Sequence, residues 1–157
     1  LICVYTASTL YHYVSDPELK QKLRIFDHVS IFYLIAGSYA PVCLITLYNG
    51  IGLKIFISII IITLVGTIFK VFYTGKYEKF SLALYLAMGW IIVLDFKSIL
   101  ELFSLNAIIL LVASGLFYSL GTVFYSLQKI KYSHAIWHLF VLAGSTSHYF
   151  LILLYVI

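Results

Sequence analysis

Long apolar runs separated by short polar connections make up most of this sequence. Each run holds roughly 20 residues, the length that an α-helix needs to cross about 30 Å of hydrocarbon. Backbone groups in lipid must be paired within the spanning segment, so helices are the expected spans. The Ile-rich block at 57–62 lacks the alternation typical of a transmembrane β-strand. The pattern therefore predicts an all-α protein, a polytopic bundle of transmembrane helices.

The apolar runs predict five complete spans and one partial span. The run from Leu1 to Tyr13 is too short to cross a bilayer. We interpret it as the last half of a helix whose beginning is absent, and the chain (residues 1–157) as a single transmembrane domain truncated at its N-terminus. The complete spans are predicted at about 27–48, 51–73, 80–94, 107–127 and 134–157, with an extension of up to one turn at either end of the third.

Local signals refine two of these boundaries. Within residues 14–26, Asp16 suits the N-cap of a helix and Pro17 its first position, and apolar residues then recur on one face. This pattern predicts a short helix lying in the membrane interface. Pro41 falls inside the next span, where a proline removes one backbone hydrogen bond and kinks the helix. Gly37, close to Pro41, is predicted to permit close helix contact.

Composition agrees with a membrane protein, because 63% of the residues are hydrophobic and 10% are charged, against about 25% charged in soluble domains. The net charge of +4 does not indicate a nucleic-acid partner, since the basic residues cluster at the ends of apolar runs. The positive-inside rule explains these basic clusters. It predicts that the first, third and fifth of the polar segments joining successive spans are cytoplasmic, and that the C-terminus lies on the opposite side of the membrane. The cytoplasmic set is Lys20, Lys22, Arg24, Lys70, Lys76, Lys79, Lys129 and Lys131, and the other side holds Lys54 and Lys97. The expected location is the plasma membrane.

The two cysteines, Cys3 and Cys43, lie far apart in apolar surroundings and show no CxxC spacing. Neither a disulfide framework nor a thiolate metal site is indicated. Both are interpreted as packing residues.

A cluster of ionisable residues is predicted at the cytoplasmic end of the bundle. His134 and His138 are four residues apart and share one helix face at the start of the last span. His12 ends the partial helix on the same side, and Asp27 opens the first complete span there. Ionisable residues are costly in lipid and usually face the interior of a bundle. An ordinary interfacial role for each histidine is the alternative.

Three histidines suit Zn²⁺, which favours tetrahedral coordination and, in catalytic sites, leaves a fourth position for water that can ionise near neutral pH. Asp27 is then placed to orient this water or take its proton during attack on a carbonyl group. Ser8, one turn before His12, is placed to bond a ligand, the water or an oxyanion. Ala135 stands where a His-Glu-x-x-His metalloprotease has its glutamate, which excludes that mechanism.

The other two histidines are predicted to lie outside this cluster. His28 points about 100° away from Asp27 on a helix, so it is expected to lie at the membrane interface or to contact a metal-binding residue, and not to bind the ion itself. His148 lies ten residues beyond His138, about 15 Å along the axis, and cannot share the same ion. It is expected to bond a neighbouring helix, with a polar contact to a ligand in a cavity as the alternative.

Four segments, in the same order along the chain, resemble the hemolysin III proteins of the wider progestin and adipoQ receptor family. They are residues 8–12, 27–28, 34–41 and 134–140. The resemblance implies a seven-helix membrane protein with a cytoplasmic N-terminus and an outer C-terminus, of which the first helix and much of the second are missing here. In adiponectin receptors, the positions that match His12, His134 and His138 bind zinc. The position that matches Asp27 lies beside the water, and Ser8 belongs to the same motif as His12.

The resemblance points to more than one function. The zinc site resembles that of alkaline ceramidases, which implies a zinc-dependent hydrolase acting on a lipid amide or ester, with Asp27 and Ser8 as catalytic residues. Hemolysin III is associated with cytolysis by pore formation, which implies a pore-forming protein with a structural zinc ion. A receptor or sensor whose ligand enters the same cavity is a further alternative.

Overall fold

The computed structural model describes residues 1–127 and 129–157, and all regular structure in this part of the chain is helical. Five segments are long and apolar enough to cross a membrane, and the shorter helix α1 precedes them. The predicted all-α membrane architecture is thus confirmed. The helices are α1 (Ile2–Tyr13), α2 (Pro17–Pro41, continued by a π-helix at Val42–Thr46), α3 (Gly52–Tyr73), α4 (Glu78–Trp90, continued by a 3₁₀ turn at Ile91–Asp95), α5 (Phe96–Leu102), α6 (Leu105–Ser126) and α7 (Ser133–Tyr155).

Helix α2 begins where the sequence predicts. The Asp16 carboxylate accepts a hydrogen bond from the Leu19 backbone N–H at 2.8 Å, and Pro17 occupies the first turn. The separate interfacial helix predicted for residues 14–26 is wrong, because α2 continues without interruption into the membrane span. Residues 18–36 contain neither glycine nor proline, so no local signal stops the helix.

The irregularity predicted at Pro41 is present as a change of helix type. After Pro41 the chain forms a π-helix, and the Val42 N–H bonds the Tyr39 carbonyl instead of the one four residues back. His148 of α7 donates its Nε2–H to the Ser38 carbonyl at 3.0 Å. The prediction that His148 bonds a neighbouring helix is confirmed, and the bond satisfies backbone that the break exposes.

A second break occurs in the third span, and its stabilisation also comes from α2. The Tyr39 hydroxyl donates to the Met88 carbonyl at 2.7 Å and accepts from the Ile92 N–H at 3.0 Å. The boundary predicted at Leu94 is wrong, because helical structure continues to Leu102. Asp95 is buried and accepts a hydrogen bond from Ser98 at 2.6 Å, so this polar residue does not end the span.

The two cysteines differ in their surroundings. Cys43 is fully buried in the apolar core, as predicted, whereas Cys3 is exposed. The packing role predicted for Cys3 is therefore wrong.

The core contains a close contact between α2 and α3 that depends on a glycine. Phe32 is fully buried and its ring occupies the space where Gly66 would carry a Cβ atom. The Phe32 ring also meets the Tyr85 ring edge to face, with the centroids 4.6 Å apart. By contrast, no heavy atom of the described residues lies within 4 Å of a Cβ on Gly37, so the close contact predicted there is wrong.

We expect Gly66→Ala to destabilise the protein by about 1–3 kcal/mol, because the new methyl group overlaps the Phe32 ring. Gly37→Ala is the matched control. It makes the same change in a helix without a clash, and its expected effect is neutral or stabilising by up to about 1 kcal/mol. Unfolding in detergent by heat or denaturant measures both. Equal stabilities of the two variants would contradict this assignment of the α2–α3 contact.

Candidate metal centre

Three histidines from the two ends of the chain converge at one end of the bundle. His12 lies in the last turn of α1, and His134 and His138 lie in the first two turns of α7. His134 Nε2 is 3.1 Å from His12 Nε2 and 3.1 Å from His138 Nε2. One nitrogen from each ring lies within 4.8 Å of the other two. Two nitrogens bound to one tetrahedral zinc ion are about 3.3 Å apart, so this spacing fits zinc.

Hydrogen bonding alone does not account for this arrangement. A neutral imidazole nitrogen either donates one N–H or accepts through one lone pair. His134 Nε2 therefore has a suitable hydrogen bond for only one of its two neighbours. The rings of His134 and His138 are also steeply inclined, with an angle of 85° between their planes, so that their nitrogens converge without stacking. A cation shared by three lone pairs satisfies all three nitrogens, and these residues fit a zinc ion.

The local sequence explains how α7 presents its two histidines. Tyr132 adopts a left-handed conformation with φ of 64° immediately before α7 starts at Ser133. His134 and His138 then occupy successive turns on one face of the helix. The Trp137 ring packs on the Tyr125 ring of α6, with the centroids 5.4 Å apart, and this contact holds the first turns of α7 against α6.

Asp27 and Ser8 lie beside the three histidines. Asp27 is half-buried on α2, close to both His12 and Ser8. Ser8 is 8% exposed, and its Oγ makes no hydrogen bond of acceptable geometry with any residue that the structure describes. Only the three histidines form the compact ligand group among the described residues, and Asp27 and Ser8 lie beside it as a carboxylate and a hydroxyl outside that group. Their catalytic roles stay a prediction.

All five of these residues lie on the wall of one cavity of about 830 Å³. The histidines occupy one end, and the apolar side chains of Val42, Ile92 and Ile99 line the other. Glu78 and Ile99 both line the cavity, and the helical rise between them is about 30 Å. The cavity therefore extends along most of the thickness of a membrane. A cavity of this shape accommodates a long apolar chain with a polar group at the histidines.

A second polar cluster lies next to the site and was not predicted. Lys70 is 0% exposed, and its Nζ lies 2.7 Å from Glu78 Oε2. His28 Nδ1 lies 3.5 Å from the same oxygen, and Arg24 Nη2 lies 3.8 Å from Glu78 Oε1. His28 is therefore directed at α4 and is not one of the three grouped histidines, as predicted. The available signal was Lys70 itself, because a lysine inside an apolar span needs a partner.

Comparison with known proteins identifies a family and several relatives. The profile of the family described as "Haemolysin-III related" matches residues 1–149. The chain is 38% identical to Hemolysin-3 of Bacillus cereus over 157 residues, which cover 100% of this chain and 72% of that protein. It is 37% identical to the Hemolysin-3 homolog of Bacillus subtilis (strain 168), with 99% and 73% covered. It is 32% identical to the human (Homo sapiens) monocyte to macrophage differentiation factor, with 97% and 65% covered. No solved structure matches the chain.

We expect the purified protein to hold about one zinc ion per chain, because three imidazole nitrogens converge with a spacing suited to that ion. His134→Ala with His138→Ala should lower zinc affinity by more than the roughly 10–100-fold typical of changes to outer-shell residues. Zinc should also raise the unfolding temperature of the unaltered protein, since an ion that binds only the folded state stabilises it.

The zinc content of the unaltered protein and of the double variant is measured by metal analysis after dialysis against a weak chelator. His148→Ala is the matched control, because it removes another cavity-lining histidine of the same helix and should leave the zinc content unchanged. Equal zinc content in the double variant and the unaltered protein would contradict the assignment of the metal centre.

Proposed function

The chain belongs to the haemolysin-III related family, within the wider progestin and adipoQ receptor group, and we propose that this membrane protein is a zinc-dependent hydrolase of a lipid amide or ester. The proposal rests on one observation, the convergence of three histidine Nε2 atoms beside a carboxylate and a hydroxyl at the polar end of a long apolar cavity.

The cavity supports a lipid as the substrate. Its wall is mainly apolar and is built from α1, α2 and α4–α7. Burying an acyl chain against such a wall is favourable by about 0.8 kcal/mol per CH₂ group, which gives a lipid affinity for the cavity that small polar substrates lack. An acyl chain in the apolar part brings its carbonyl group to the histidines.

In this proposal each polar side chain has a defined role. A bound zinc ion would supply Lewis-acid activation of water and of the carbonyl group. The Asp27 carboxylate accepts a proton from the attacking water and then returns it to the leaving nitrogen or oxygen. The Ser8 Oγ–H donates to the negative charge that develops on the carbonyl oxygen. The new C–O bond replaces the C–N or ester C–O bond, and the products are a fatty acid and an amine or alcohol.

The distribution of basic residues supports a cytoplasmic location for the reacting end. Eight lysine and arginine residues belong to the connections at the histidine end of the helices, and two belong to the opposite end. By the positive-inside rule, a substrate is hydrolysed close to the cytoplasmic leaflet. Lys70 differs from the other basic residues of this set, because it is buried and paired with Glu78 instead of contacting lipid headgroups.

A pore-forming function is the second candidate. The Bacillus relatives carry the name Hemolysin-3, and the cavity extends about 30 Å along the bundle. In this alternative the metal ion joins helices, and Asp27 has no part in permeation.

We expect Asp27→Asn to reduce the release of fatty acid by about 10²–10⁴-fold, because asparagine cannot take a proton from water, while the zinc content stays unchanged. The measurement is fatty-acid release from a panel of acyl amides and esters by the zinc-loaded protein in liposomes. Asp16→Asn is the matched control, since asparagine caps a helix as well as aspartate does and this residue lies outside the cavity.

Undiminished turnover by Asp27→Asn would contradict the role of Asp27. A zinc-loaded protein that releases no fatty acid from any member of the panel would contradict the hydrolase assignment. Leakage of a dye from the same liposomes, equal in the unaltered protein and in Asp27→Asn, would favour the pore-forming alternative.

A further inference from the structure

Three hydroxyl groups meet in the bundle at a deeper level than the histidines. The Tyr5 hydroxyl of α1 donates to Ser145 Oγ of α7 at 3.1 Å. The Tyr118 hydroxyl of α6 lies 2.9 Å from the same Ser145 oxygen. We refer to Tyr5, Tyr118 and Ser145 as the hydroxyl cluster. It joins three helices around the cavity, which Tyr5 and Tyr118 both line.

The hydroxyl cluster and the metal centre lie on the same helix faces. Tyr5 precedes His12 by seven residues in α1, and Ser145 follows His138 by seven residues in α7. Seven residues complete almost two turns, so each pair shares a face and is separated by about 10 Å along the axis. The cavity therefore has two polar levels about 10 Å apart, with apolar wall around them.

Counting hydrogens shows that the hydroxyl cluster does not satisfy itself. Three hydroxyl groups carry three hydrogens, but only two hydrogen bonds join them. Neither Tyr118 nor Ser145 donates to any other described residue within hydrogen-bonding geometry. The nearby pair of Trp90 and Ser119 differs, because the indole donates to Ser119 at 3.0 Å and Ser119 donates to the Gly115 carbonyl at 2.7 Å. One donor in the hydroxyl cluster is left over.

Burial decides which group holds the free donor. Ser145 is 3% exposed and does not line the cavity, so a free hydrogen on its Oγ would be buried without any acceptor. If Ser145 donates to Tyr118 instead, the free hydrogen belongs to Tyr118, a residue that lines the cavity. This second arrangement is favoured because a ligand can then accept the hydrogen bond.

The position of the Tyr118 ring is fixed by a glycine. A Cβ on Gly144 would lie 3.1 Å from the ring, so the absence of a side chain lets the ring pack directly on α7. Together with the bond to Ser145, this contact holds the hydroxyl in one place. The donor is therefore preorganised, which favours its use in recognition.

We propose that Tyr118 recognises an oxygen atom in the chain of the lipid substrate, about 10 Å from the carbonyl group at the metal centre. The substrate class is an acyl lipid with a hydroxyl or keto group part-way along its chain. This inference rests on the proposed function for the position of the carbonyl group, but its prediction about binding does not require turnover. Tyr118 is a specificity-determining residue, and it takes no part in bond cleavage.

The test is a binding experiment with straight-chain primary amides of one length that differ only in the position of a single hydroxyl group. Trp90 and Trp137 are the only tryptophans of the chain and both line the cavity, so their fluorescence reports occupancy. Measurements use the full-length chain loaded with zinc and carrying Asp27→Asn, which suppresses turnover. We expect one position, about 10 Å from the carbonyl group, to bind about five- to tenfold more tightly than the plain amide.

Tyr118→Phe should abolish this preference while it binds the plain amide as before, which also verifies that the variant is folded. Tyr5→Phe is the matched control. It removes a hydroxyl of the same cluster but keeps the hydrogen bond between Tyr118 and Ser145. These two hydroxyl groups carry two hydrogens and share one bond, so one donor is still free and the preference should remain. Equal binding of all positions, or an undiminished preference in Tyr118→Phe, would overturn the proposal. A preference without fatty-acid release from the unaltered protein would refute the hydrolase and leave the recognition by Tyr118 standing.

Discussion

The convergence of three imidazole nitrogens, with His134 Nε2 lying 3.1 Å from Nε2 of both His12 and His138, is the constraint on which this bundle depends. Each is a lone-pair donor to a metal ion or a partner in one hydrogen bond, and three such groups cannot satisfy each other without a cation. The same residues join α1 to α7, two helices at opposite ends of the chain. Tyr5 and Ser145 add a second connection between these helices about two turns deeper. The candidate metal centre is thus also the place where the first and last described helices meet.

Both helix breaks of the bundle are stabilised by side chains from other helices. His148 satisfies a backbone carbonyl next to the π-helix that follows Pro41, and Tyr39 bonds both sides of the transition in the third span. In lipid such groups must find partners within the protein, so irregular backbone is confined to places where another helix can reach it. These bonds hold the apolar end of the cavity, as the histidines hold its polar end.

The sequence was sufficient for features that depend on local pattern. The spans follow from apolar length, the start of α2 follows from Asp16 and Pro17, and the grouping of the histidines follows from helix direction and the spacing of His134 and His138. Features that depend on tertiary contact were not predictable. Gly37 and Gly66 look alike in sequence, and only the position of the Phe32 ring distinguishes them. The hydroxyl cluster combines common residues from three helices, so no single segment reveals it.

The pairing of Lys70 with Glu78 bears on the order in which the bundle assembles. These residues are only 8 apart in sequence, across the turn between α3 and α4, so their charges can neutralise each other as soon as this hairpin has formed. Two consecutive spans can then enter the bilayer together without exposing an isolated ammonium group to lipid. His12 and His134 are 122 residues apart, and their contact must wait for the last helix of the chain. An ion held by these three histidines would therefore bind late in biogenesis, and its presence would mark a protein whose last helix has been inserted.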